Sequence, residues 1–295
     1  MRDILKILLF LGAILTCGAI LAAPLYWLGQ WAAHTGVLPV LAKFSFQKYF
    51  NRSLLISAIG LLWPFGKWIG VNLRWQETFP REEKPVQRAL EGFALGALIM
   101  GMLAAICVLG GFYVPKHGFG FSVLVPAFFS ACFVGILEEW LFRGAITALL
   151  TRSYSQPRAI WLCSGIFAAV HFLKPNPAFQ IAEVKWYSGW LLIPEMFHQF
   201  NEPSLVMGGF GTLLLLGWVL GLAAWRTRSL WMSIGLHAGV VLLKLSFTRA
   251  FERRSHWTPW LGTELQVGLV PVFLLLITGL FFLFWPPGLN AKESL

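Results

Sequence analysis

Residues 119–150 read FGFSVLVPAFFSACFVGILEEWLFRGAITALL. The stretch is apolar almost throughout and longer than the roughly 20 residues a helix needs to cross a bilayer. Glu138, Glu139 and Arg143 interrupt it. A run of this length predicts a transmembrane helix. An ionisable side chain inside such a helix costs about 3 kcal/mol on the insertion scale, so three together mark either deliberate pairing or chemistry.

Seven further apolar runs flank it, at about 4–28, 53–72, 90–114, 158–173, 204–225, 229–247 and 263–286. Together they predict an all-α, polytopic membrane helix bundle of about eight transmembrane helices. Composition agrees: the 295 residues are 57% hydrophobic and only 12% charged, about half the charged share of a soluble domain. Trp27, Trp31, Trp161, Trp225, Trp231, Trp260 and Trp285 fall near run ends, as does Trp75, the pattern of an aromatic belt at the lipid boundary. A polar connection is expected from Arg74 to Arg88, and an interfacial helix around Trp186–Phe200 inside the loop from Lys174 to Pro203. Met1 to Leu21 resembles a signal peptide, but its apolar run continues through Tyr26 and Trp27, so it reads as a retained first helix.

The formal net charge is +10. Its Lys and Arg residues lie between apolar runs, where they meet lipid headgroups, and no RNA- or DNA-binding motif accompanies them. The lipid bilayer is therefore the expected partner and nucleic acid is not. Arg152, Arg158, Arg226 and Arg228 sit in short loops at helix ends and favour a cytoplasmic N-terminus. Short loops point to a bacterial inner (plasma) membrane. Cys17, Cys107, Cys132 and Cys163 each lie inside an apolar run without C-x-x-C spacing, so they read as small buried hydrophobes.

Helical geometry separates the two carboxylates. Glu139 and Arg143 are four residues apart, share a face and can pair. Glu138 is turned by about 100° from Glu139 and is not neutralised by the same arginine. His171 lies in the fifth run and His237 in the seventh. At about 1.5 Å per residue, Glu138, His171 and His237 fall roughly 14–20 Å below one membrane face. A shared polar pocket is the expectation. A carboxylate with two imidazoles suits hydrolysis: one group deprotonates water, another holds it or protonates a leaving amine, and another steadies an oxyanion. The same trio of Glu138, His171 and His237 could hold zinc with water in the fourth position. Lys67 reads as a snorkelling side chain, and the loop histidines His34, His117, His198 and His256 are assigned no role.

Glu138-Glu139-x-x-x-Arg143, Phe167-x-x-x-His171 and Ser229-Leu230-Trp231 leading to Gly235-Leu236-His237-Ala238-Gly239 resemble the type II CAAX prenyl endopeptidase family, also called the CAAX protease and bacteriocin-processing family, or Abi. The likeness covers about 119–247, which sets off a family core from residues 1–118 and 248–295. It implies an intramembrane endopeptidase that cuts a membrane-associated or lipidated peptide, as in CAAX-box protein processing. It further implies Glu138 as the water-activating base, His171 as its partner, Glu139 and Arg143 as organisers, and His237 on the oxyanion side. The family has been described both as metalloproteases and as metal-independent glutamate proteases, and the second is the expectation here. Many members carry Asn or Asp four residues after the last histidine, where this chain has Val241. That departure supports a rival expectation, a catalytically weak or inactive relative that binds a peptide as an immunity or scaffold protein. A transporter or proton relay is the third expectation, weakened by the lack of inverted repeats.

Overall fold

The computed structural model describes residues 2–70, 82–116, 120, 124–203, 206–255, 257–262 and 264–285. Every one of the eight apolar runs contains a helix. These are α1 (Arg2–His34), α2 (Phe46–Ile69), α3 (Pro85–Leu109), α4 (Leu124–Leu150), α5 (Gln156–Phe172), α7 (Gly211–Thr227), α8 (Leu230–Ala250) and α9 (Leu269–Leu283). A short α6 (Ser188–Glu195), followed by a 3₁₀ turn at His198–Asn201, occupies the loop where an interfacial helix was expected. Among the described residues, five helices are long and apolar enough to cross a membrane: α1, α3, α4, α7 with its preceding turn, and α8. The chain is therefore an integral membrane protein, but fewer than eight of the described helices meet the crossing criterion. The 15 residues of α9 span about 22 Å, short of a hydrocarbon core of about 30 Å. Helix α5 stops at Phe172, just before Pro175 and Pro177, and α2 begins with Gln47, Lys48, Asn51 and Arg52. Most of the expected polar connection, through residue 81, lies outside the described residues, as do Trp75, His117 and His256.

The helices form two compact units, Met1–Gly70 with Ala169–Val206, and Val71–Ala168 with Met207–Leu295. The first packs α1, α2 and α6 around Ala19, Ala22, Ala23, Phe46, Phe50, Leu192 and Met196. Small residues on α1 let α6 approach so closely that a Cβ on Gly189 would strike the Ala19 carbonyl.

The second unit is built on a seam between α3 and α8. Gly92 and Gly96 on α3 face Gly235 and Gly239 on α8, each pair at the four-residue spacing that puts both glycines on one helix face. A Cβ on Gly92 would meet the Met232 carbonyl, one on Gly96 the Leu236 carbonyl, one on Gly235 the Ala89 carbonyl, and one on Gly239 the Phe93 carbonyl. The two backbones therefore touch along two turns, and only glycine allows it. Helix α4 packs on another side of α8, where Gly135 lies against Ile234 and Ala238. A two-stranded antiparallel ribbon, β1 (Tyr113–Pro115) with β2 (Phe251–Arg253), ties the ends of α3 and α8, with Tyr113 opposite Arg253. Burial raises the Tyr113 phenol above its ordinary range, Cys107 and Glu264 push it the same way, and Arg253 opposes them.

Candidate active site

Helix α4 is regular as far as Glu139, then takes a π-helical course over Trp140–Ile146. In that wider turn the Thr147 N–H donates to the Phe142 carbonyl, five residues back. The Thr147 hydroxyl at 2.9 Å and the Cys163 thiol at 3.2 Å donate to the same oxygen. Single π turns inside α-helices recur at functional sites because they re-aim the side chains around them. Here the turn follows directly on the two carboxylates.

Arg143, 2% exposed, donates from Nη1 to Glu139 Oε1 at 2.9 Å and from Nη2 to the Gly217 carbonyl of α7 at 2.8 Å. The same Glu139 Oε1 lies 2.8 Å from His237 Nδ1 on α8. An ionised carboxylate only accepts, so Nδ1 carries the hydrogen and donates it. In a neutral ring His237 Nε2 then carries the lone pair, and it faces Glu138 Oε2 at 3.9 Å. Exposure distinguishes the two acids: the Glu138 side chain is 25% exposed and that of Glu139 is sealed at 0%. Phe167 completes the floor. Its ring lies 4.8 Å from the Arg143 guanidinium carbon and meets the His237 imidazole edge-on, with centroids 5.9 Å apart. The Arg143 cation gains from the ring's quadrupole in a setting with little competing water.

Four of the five site residues expected from sequence thus meet in the second unit: Glu138, Glu139, Arg143 and His237. The fifth, His171, lies in the last turn of α5 and is partly buried, in the stretch Ala169–Val206 that belongs to the first unit. Val241, one turn beyond His237, is partly buried and contributes no polar group. Three features were not anticipated: the π turn, the Gly217 carbonyl that takes the second arm of Arg143, and the Glu139–His237 bond. Among the described residues, no three His, Cys, Asp or Glu side chains are grouped so that they could hold a metal ion.

Residues 120–243 match the model of the Rce1-like type II CAAX prenyl endopeptidase family. No curated protein and no solved structure matches the chain. That family is a peptidase family of polytopic membrane helical proteins, and the matched stretch contains all five expected site residues.

Proposed function

We propose that this chain is an intramembrane endopeptidase that hydrolyses a peptide bond in a membrane-embedded or lipidated peptide, in a bacterial plasma membrane, with Glu138 as the base. One observation carries the proposal: Glu138 Oε2 and His237 Nε2 stand 3.9 Å apart, too far for a direct hydrogen bond and close enough for one water to bond both. Glu138 takes a proton from that water, and the water oxygen attacks the scissile carbonyl carbon. As the tetrahedral intermediate collapses, the C–N bond breaks and Glu138 returns the proton to the leaving amine nitrogen.

His237 accepts the water's other hydrogen and so aims its oxygen. Glu139 fixes the ring through Nδ1, and Arg143 offsets the charge of Glu139 where solvent does not reach. The oxyanion role implied for His237 by resemblance asks instead for a proton on Nε2. His171 enters the proposal through its sequence motif alone, as a second partner of the water.

The test is cleavage of a membrane peptide library in proteoliposomes, wild type against Glu138→Ala, with and without chelator. Activity lost in the variant and kept with chelator is expected. Full activity in the variant overturns the mechanism. The peptide-binding reading draws on Val241, which leaves the turn after His237 without a polar group; binding that persists in Glu138→Ala, with no cleavage by wild type, would favour it.

A further inference from the structure

We propose that the first unit holds one anionic phospholipid where α1, the 3₁₀ turn Pro39–Lys43 and the start of α2 meet. A cavity of about 840 Å³ lies there. Its walls include Leu25 and Leu28 of α1 and Ile56 of α2, and its polar lining includes Lys48 and Arg52. Leu28 is 59% exposed and Ile56 48%, so the walls open to the hydrocarbon rather than to a closed core. Trp27 and Trp31, neighbours of that wall, are 45% and 62% exposed, which sets this end of α1 at headgroup level.

The charge around the cavity has one sign. From Ile4 to Gly70 the sequence contains no Asp or Glu, and no residue lining the cavity is acidic. Lys48 and Arg52 are one turn apart on α2 and so share a face. They occupy its first two turns, the positive end of its dipole. The Lys48 ammonium lies 4.7 Å from the centre of the Phe44 ring, which also lines the cavity. A soluble anion would satisfy the cations but not the hydrocarbon walls. A zwitterionic lipid would bring an ammonium that finds no carboxylate here. An anionic phospholipid matches both features: phosphate on Lys48 and Arg52, and an acyl chain along Leu25, Leu28 and Ile56.

The experiment uses the full chain reconstituted in nanodiscs of phosphatidylcholine with 20% phosphatidylglycerol, extracted into detergent and weighed intact by native mass spectrometry. Wild type is expected to retain a single phosphatidylglycerol adduct and no phosphatidylcholine. Lys48→Gln/Arg52→Gln should lose occupancy about 30-fold, the effect of two cations near an anionic surface. Lys48→Arg/Arg52→Lys, which keeps the charge, should retain the adduct, so a misfolded double variant cannot be mistaken for a lost site. Arg152→Gln/Arg158→Gln removes two cations of the other unit and should change nothing. Retention of the adduct in Lys48→Gln/Arg52→Gln, equal loss in Arg152→Gln/Arg158→Gln, or equal retention of phosphatidylcholine overturns the proposal.

Discussion

The α1–α2 contact of the first unit and the α3–α8 seam of the second both use glycine to bring helices together, but against different surfaces. In the second unit, Gly92, Gly96, Gly235 and Gly239 face carbonyl oxygens of the opposing backbone. In the first, Gly29 of α1 faces the phenol ring of Tyr49, and Gly18 faces chiefly the Leu54 side chain. A side chain can rotate away from an added methyl group; a helical backbone cannot. Charge follows the same division. Arg143 is buried and bonded on both arms, whereas Lys67 is exposed, with its ammonium 3.6 Å from the centre of the Trp63 ring. The second unit has little freedom to relax around its polar groups, as the proposed positioning of a water by Glu138 and His237 requires. The first keeps its cations at the rim and can adjust.

The sharpest way to break this contrast is through the chemistry. Glu138→Ala is expected to lower cleavage of membrane peptides by about 10²- to 10⁴-fold, the usual contribution of a positioned base, with an unchanged helical circular dichroism spectrum. Next come the charges. Arg143→Met leaves the sealed Glu139 carboxylate without its cation and should destabilise the protein by about 3–5 kcal/mol. Lys67→Met should cost about 1 kcal/mol or less. Both are read from thermal unfolding in detergent, and equal losses would erase the distinction between the units. The glycines follow. Gly235→Ala forces a methyl group against the Ala89 carbonyl and should cost about 1–3 kcal/mol, while Gly29→Ala displaces only a phenol and its hydrogen bond to Leu41 (3.1 Å), about 1 kcal/mol. An effect of similar size concerns aim. Phe167→Leu removes the ring beneath Arg143 and His237 but keeps its volume largely filled, and should cost about 0.5–2 kcal/mol in the same assay.

What could be read from sequence was local. The pairing of Glu139 with Arg143 follows from one turn of helix, as does the separation of Glu138 from both. The eight helical runs follow from apolar length, but crossing does not, because α5 and α9 are cut short by flanking prolines and turns that a sliding average blurs. The bond between Glu139 and His237 joins residues 98 apart in the chain. No spacing rule reaches that far. It depends on how closely α4 approaches α8 past Gly135, and on which ring nitrogen the approach presents. The π turn after Glu139 has no composition signal either, since Trp140–Ile146 reads as ordinary helix. The glycine pairs on α3 and α8 have G-x-x-x-G spacing, but spacing alone does not say which helix each pair faces.

That seam has a consequence for how change accumulates in this chain. His237 sits between Gly235 and Gly239, so the position of its imidazole is inherited from the track along which α3 lies. A saturation scan scored by hydrolysis should show intolerance at Gly92 and Gly96, two positions with no side chain at all. Selection for catalysis would then be recorded on α3 as the persistent absence of atoms, on a helix that supplies none of the four polar side chains of the network.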